Sequence, residues 1–301
     1  MEISAQTAPA QPAAEKASLM EPFGAQRAPA RSILAMPRNE YFAALFIVGC
    51  VNGIGSRVIE TIRASGWQEA VLTTFSMSAV VWIACYVGIH LVVEEGSEKV
   101  RPTDVLVGLI LLIPIAVPIG GLSWLALSVL SIYVILFSAP SSARRRGAII
   151  LFATTVPMLW SGLLFRYFAN FILGIDASLV GLLLGTPSNG NVVPFADGSG
   201  SLVILPYCSS MANVSVAFLA WILVSRWEPR HWSPRDVFCC LVAAAAVVSV
   251  NVTRISLMGL SQWHYSAIHS QWGDLIANLL ICGLTLGISL LGVRRETNPR
   301  V

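Results

Sequence analysis

The stretch Val105–Phe137 reads VLVGLILLIPIAVPIGGLSWLALSVLSIYVILF and carries no charged side chain. About 20 apolar residues cross the roughly 30 Å hydrocarbon core of a bilayer, so this run is too long for one untilted helix. Pro114, Pro118 and the Gly120-Gly121 pair interrupt it. Proline removes a backbone donor and crowds the preceding turn, and a Gly-Gly pair permits a sharp reversal. The run therefore predicts a tight helical hairpin of two spans, 105–119 and 122–139.

The same reading extends outward along the chain. Hydrophobic residues make up 55% of the 301 positions and charged residues 12%, a balance that points to a multi-span membrane protein. Further apolar segments at 41–60, 71–93, 147–165, 208–225, 237–256 and 274–293 bring the expected number of spans to eight. The fold class expected is all-α, a polytopic membrane helical bundle of about eight transmembrane helices. Residues 1–38 are rich in Ala, Pro, Gln and Ser without a sustained apolar stripe and read as a disordered cytoplasmic tail. Residues 39–301 form the transmembrane domain. The first apolar run begins only near Tyr41, so a cleavable signal peptide is not expected.

Basic residues test that count independently, because cytoplasmic loops carry the excess of Lys and Arg. With the N-terminus inside, Lys16, Arg27, Arg31, Arg38, Lys99, Arg101, Arg144, Arg145, Arg146, Arg226, Arg230, Arg235, Arg294, Arg295 and Arg300 fall on the cytoplasmic side. Arg57, Arg63, Arg166 and Arg254 are left for the other side. Fusing the two spans of the hairpin would move Arg144, Arg145 and Arg146 outside and spoil the bias. Both termini are expected in the cytoplasm. The net charge of +3 is too small and too scattered for a nucleic-acid partner.

The longest loop, about 166–207, then lies outside. Phe171–Gly185 is apolar but short and carries Asp176, so it reads as an interfacial or re-entrant helix. Asn191–Phe195 and Ser201–Ile204 flank an Asp197-Gly198 turn signal and predict a small hairpin over the outer face. The loop leads into Leu205-Pro206-Tyr207-Cys208.

Six cysteines occur, at 50, 85, 208, 239, 240 and 282, without metal-type spacing, and neither a metal nor a cofactor is expected. Cys208 alone lies at the outer mouth of a span. Arg254 lies roughly 26 Å along the next span, level with Cys208. His269 lies in the short outer segment before the last helix. Each has an ordinary reading by itself: an interfacial thiol, a snorkelling arginine, a surface histidine. Together they form a set suited to acyl transfer, with a thiol nucleophile, an imidazole acid and base, and a permanent cation for an oxyanion. Asn251 lies one turn before Arg254, placed either to brace the guanidinium or to bond the backbone. His264 rivals His269. Arg166 and Asp176 are further polar candidates that are as readily solvated as functional. His90 and His231 fall on the cytoplasmic side.

The Cys208-Ser209 pair opening a span, Asn251-Val252-Thr253-Arg254 closing the next, and His269 followed by Gly273 before the last resemble the exosortase and archaeosortase family over about 186–293. The resemblance implies a cysteine endopeptidase and transpeptidase in the inner membrane, with its active site extracytoplasmic. Its substrates would be secreted proteins ending in a Pro-Glu-Pro-like motif, a transmembrane helix and a basic end. Cys208 would form a thioester, His269 would act as acid and base, and Arg254 would stabilise the oxyanion or thiolate. The acyl group would pass to a cell-surface acceptor or to water, in an exopolysaccharide-associated sorting system. The family commonly has Cys-Ser-Gly where this chain has Cys208-Ser209-Ser210. A glycine there would permit close approach or an unusual dihedral. The rival function classes are a polytopic transporter, against which the lack of an internal repeat counts, and a non-catalytic scaffold for envelope assembly.

Overall fold

The computed structural model describes residues 36–94, 96, 98–117, 119–230 and 233–294. Most of the proposed N-terminal tail, together with His231, Arg295 and Arg300, lies outside the described residues. Arg38 does not belong to that tail. It is the first residue of α1 (Arg38–Leu72), and its side chain is buried.

Helix α1 runs without a proline until Gly66, whose positive φ of 81° breaks it. A three-residue turn at Thr74–Ser76 follows, left-handed throughout, and then α2 (Ala79–Glu94). Next come α3 (Pro102–Ala116) and α4 (Gly120–Leu136), the two limbs of the hairpin expected at 105–139. Their turn is held by α1. The amide of Asn52 donates to the carbonyls of Ile115 and Val117 at 2.8 and 2.6 Å, acceptors that the helix end leaves open.

Small residues set the spacing of these helices. A Cβ on Gly49 would lie 2.6 Å from Leu127, and one on Gly53 would lie 2.9 Å from Trp124, so α1 and α4 meet where glycine leaves room. Helices α2 and α5 (Ala143–Thr155) meet in the same way at Gly88 and Gly147.

After α5 the chain passes through a π-helical turn at Val156–Trp160 into α6 (Ser161–Leu184). Pro157 lies in that turn, where a wider helix tolerates its missing donor. The expected span 147–165 and the expected interfacial helix 171–185 are therefore one apolar helical segment, Ala143–Leu184, of 42 residues. Its bends fall at the π turn and at Phe168, which leaves helical geometry at φ −125° and ψ 18°. The expected end at Gly185 is a left-handed cap with φ 68°.

The expected hairpin forms next, with β1 (Val192–Pro194) antiparallel to β2 (Ser201–Val203) and Val193 opposite Leu202. Helices α7 (Ser210–Trp227), α8 (Pro234–Met258), α9 (Gln262–Ile268) and α10 (Gln271–Arg294) complete the described chain.

Among the described residues five helical segments are long and apolar enough to cross a membrane: Arg38–Leu72, Ala143–Leu184, Ser210–Trp227, Pro234–Met258 and Leu275–Val293. The other three expected spans are the shorter apolar helices α2, α3 and α4, of 16, 15 and 17 residues. At about 1.5 Å per residue α3 covers only roughly 22 Å, because Arg101 caps its start and Val117 turns extended and stops it. The protein is a helical membrane bundle, and the count of eight full-length spans is not met.

Two apolar cores hold it together. The larger joins α1 to α5 with the C-terminal half of α7, around Phe42, Phe46, Leu127 and Leu130. The smaller joins α6, the β-hairpin and α8 through Ala177, Val193, Ile204 and Ile255. The second core fixes the hairpin beside the N-terminus of α7, where Cys208 lies.

Candidate functional site

Pro206 fixes φ and opens a single 3-10 turn, Pro206–Cys208, in which the Cys208 amide donates to the Leu205 carbonyl at 2.9 Å. Ser209 then turns extended and caps α7, its hydroxyl accepting from the Met211 amide at 3.3 Å. That hydroxyl donates to the Asp176 carboxylate at 2.6 Å, and the Ser210 amide donates to the same oxygen at 3.0 Å. Asp176 is buried on α6. It is no solvated interfacial charge but the acceptor for the first turn of α7, where a helix gathers unpaired donors and partial positive charge.

From the opposite side α8 supplies Asn251, also buried. Its amide nitrogen donates to the Cys208 carbonyl at 2.8 Å and to the Ser210 hydroxyl at 3.1 Å. Its amide oxygen accepts from Asn213 of α7 at 3.2 Å. The backbone of Cys208 is thus held between α6 and α8, while its side chain is half-buried. Ser210 at the third position of Cys-Ser-Ser is not strained. Among the described residues the positive-φ positions outside glycine are Thr74, Phe75 and Ser76. A serine here also gives Asn251 an acceptor that glycine would lack.

Arg254 is half-buried one turn beyond Asn251 on α8, and so shares the Cys208 end of the bundle. The hairpin is pinned to the same helix end, where the Ala196 amide donates to the Gly259 carbonyl at 2.9 Å. His269 is exposed at the C-terminal cap of α9. Its ring lies 5.2 Å from that of Tyr265, which in turn lies 6.5 Å from Phe195 beside the hairpin. His264 is engaged locally, its Nδ1 2.7 Å from the Ser261 hydroxyl that caps α9. Gly273 has a steric reason to follow His269, since a Cβ there would lie 2.0 Å from the Ile268 carbonyl oxygen. Cys208 and α8 are joined by direct hydrogen bonds. The His269 ring reaches the hairpin side of the site by way of Tyr265. Arg166 is exposed on α6.

Asn213 leads from this network into a cavity of about 510 Å³ between the start of α2, α7 and α10. Thr73, Ser76, Asn213, Asn278 and Thr285 give it a polar lining inside an otherwise apolar bundle. The left-handed turn at Thr74–Ser76 forms part of its wall. Among the described residues no three His, Cys, Asp or Glu gather as ligands for a metal ion.

Sequence reasoning placed Cys208, Arg254 and His269 but missed the parts of Asp176, Asn213 and Ser210. The signal for Asp176 was present: a carboxylate inside an apolar helix is costly unless partnered. The donors for it lie 33 and 34 residues away, which no local pattern reveals. Comparison with protein-family models, with curated proteins and with solved structures finds no match to this chain.

Proposed function

We propose that this protein is a membrane-embedded cysteine peptidase and transpeptidase, exosortase-like in its Cys208, Arg254 and His269 set. The observation that carries the proposal is the clamp on Cys208. Asn251 of α8 and Asp176 of α6 fix the turn that presents the thiol, and Arg254 follows Asn251 by one turn. A thiol that served only as apolar filling would need no such hold.

In this reading the Cys208 thiol gives its proton to His269, the sulfur attacks the scissile carbonyl carbon, and the carbonyl electron pair moves to oxygen. Arg254 donates to that oxyanion. Asp176 already takes donors of the α7 terminus, so the cation that favours an anionic sulfur falls to Arg254 more than to the helix dipole. The intermediate collapses, the C–N bond breaks, and protonated His269 gives its proton to the departing amine. The thioester on Cys208 then passes to an acceptor amine or to water, with His269 as base. The substrates are secreted proteins whose tails carry a Pro-rich motif, an apolar helix and a basic end.

The reading also takes α2, α3 and α4 as spans, giving eight passes, with both termini cytoplasmic and Cys208 extracytoplasmic at the inner membrane. Support comes from the contacts among basic residues. Arg38 reaches Asp104 and the Phe137 carbonyl, Arg144 reaches Glu98, and Arg146 reaches the Trp227 carbonyl, so the basic loops gather at the end opposite Cys208.

The test is co-expression with a reporter bearing such a tail. Wild type shortens the reporter and yields a thioester adduct, whereas Cys208→Ala leaves it whole. Equal processing by Cys208→Ala overturns the proposal.

A further inference from the structure

The cavity of about 510 Å³ beside Asn213 is set apart by its lining. Among the described residues no Asp, Glu, Lys, Arg or His lines it, yet Ser76, Asn213, Asn278 and Thr285 bring uncharged donors and acceptors. Its α10 wall is one face of that helix, since Asn278, Cys282 and Thr285 follow one another at steps of four and three residues. Asn278 and Cys282 are exposed.

Thr285 is only 3% exposed, and its hydroxyl has no hydrogen-bond partner among the described residues. A threonine inside an apolar helix ordinarily turns back to the carbonyl four residues earlier, as Thr154 does to Ile150 at 2.9 Å. A buried hydroxyl left unmet is costly, and a polar group entering the cavity relieves that cost.

The cavity is also placed next to Cys208. Asn213 lies about 5 Å past the start of α7 and Ala220 about 15 Å past it, so the cavity begins near the Cys208 end and runs toward the middle of the bundle. Asn213 donates to Asn251 at 3.2 Å, and Asn251 donates to the Cys208 carbonyl at 2.8 Å. Two hydrogen bonds thus join the cavity wall to the turn that carries the thiol.

A peptide cleaved beside a membrane helix is extended at the scissile bond, so the residues that follow it have left helical pairing. At membrane depth their N–H and C=O groups must be met by protein. Amide and hydroxyl side chains meet them without the desolvation cost of a charged wall. We propose that this cavity holds the extended backbone of the substrate's departing segment, between the scissile bond and the apolar helix, with Asn278 and Thr285 as its hydrogen-bonding partners. The inference rests on the peptidase reading of Cys208. Both residues position the chain and neither touches the reacting atoms.

One reporter with a Pro-Glu-Pro-like motif, an apolar helix and a basic end carries a single cysteine just after the motif. A second carries it at the basic end. Each is co-expressed with Cys208→Ala, which keeps the native Cys282 in the cavity wall, and the membranes are oxidised with copper phenanthroline. The first reporter forms a disulfide with Cys282 that the second does not form and that Cys282→Ser abolishes. In purified protein with Cys208 intact, Asn278→Leu and Thr285→Val raise KM for a cysteine-free reporter about three- to tenfold and leave kcat unchanged, the mark of lost binding. Thr285→Val melts no lower than wild type, because it removes a hydroxyl without a partner, so a raised KM is not misfolding. The inference is overturned if no cross-link forms with the first reporter, or if KM stays at the wild-type value in both variants, as a cavity holding only water would give. Failure of the peptidase reading looks different: wild type then leaves the reporter whole, and the inference falls with it.

Discussion

Asn251 and Cys208, 43 residues apart in the chain, are joined by a 2.8 Å hydrogen bond from the side-chain amide of one to the main-chain carbonyl of the other. The bond joins two helices through the main chain of Cys208. Asn251 reaches Ser210 and is reached by Asn213, so three polar positions of the α7 terminus depend on one residue of α8. At membrane depth a buried amide is retained when its partners cannot turn to water.

Replacing Asn251 therefore has a double effect. Asn251→Ala leaves the Cys208 carbonyl and the Ser210 hydroxyl without this donor, a loss of about 1–3 kcal/mol for an unmet buried group. Asn251→Asp keeps the shape but cannot donate, and is expected to be no better. Reporter processing should fall at least about tenfold in both variants while Cys208 remains present. Unchanged processing in Asn251→Asp would remove the clamp from the account of the site.

Asp176 is tested through its geometry. Asp176→Asn keeps an oxygen for the Ser210 amide but removes the negative charge, whereas Asp176→Ala leaves both the Ser209 hydroxyl and the Ser210 amide unmet. Asn should cost about 1 kcal/mol and Ala about 2–3 kcal/mol, measured as loss of thermal stability in detergent. Equal stability for Ala and wild type would mean that water replaces the carboxylate and that the α7 terminus is open.

Much of this was legible in the chain. The hairpin at 105–139 followed from Pro114 and Gly120-Gly121, and the β-hairpin from Asp197-Gly198 between two short apolar stretches, because local backbone chemistry dictates both. The placing of Cys208 and Arg254 at one end followed from helix length alone. The continuity of α5 into α6 was hidden, since Pro157 signals a break and a π turn absorbs it. The clamp was hidden for another reason. A side chain's partner across helices is decided by packing, and Asn251 has equal claims, on sequence, to Arg254 and to its own backbone.

Acid exposes the ion pairs that Arg38 and Arg144 make with Glu98. Burial alone would raise the Glu98 carboxyl, but the hydrogen bonds and charges of Arg144 and Arg38 outweigh it and hold Glu98 below the usual carboxylate range. A carboxyl depressed in the folded state contributes stability that is fully present above its unfolded value of about 4.3 and is lost as pH falls through the lower folded value. Melting curves of wild type and Glu98→Gln should converge at low pH and part as pH rises toward neutrality. Glu98 is half exposed, so the gap is small; a gap that widens on acidification would contradict the ion pairs.

Cysteine labelling checks which side of the membrane the hairpin faces. Cys208 is half-buried beside polar structure, Cys50 and Cys85 are buried, Cys239 and Cys240 are half-buried in the N-terminal part of α8, away from Cys208, and Cys282 is exposed midway along the apolar α10. A membrane-impermeant maleimide added to intact spheroplasts should label Cys208 and spare a Cys208→Ser variant. Labelling of Cys208 only after lysis would place the hairpin in the cytoplasm and reverse the proposed topology.

The α2–α5 contact is a place between helices where a single methyl should matter. A Cβ on Gly147 would stand 2.5 Å from the Gly88 carbonyl oxygen and 3.0 Å from the Val92 amide, both backbone atoms that no side-chain rotation can move aside. The Gly88 side of the contact is softer, because its Cβ would first meet the Leu151 side chain at 2.6 Å, and a leucine can change rotamer. Gly147→Ala must therefore push the helices apart, at a cost of about 1–3 kcal/mol or more, whereas Gly88→Ala should cost less. The gain in helix propensity from Ala, up to about 1 kcal/mol, works against the clash in both variants and does not change their order. Thermal melts of the two variants in the same detergent decide it. If Gly147→Ala is as stable as wild type, the helices are not in backbone contact and the larger core is looser than its glycines imply.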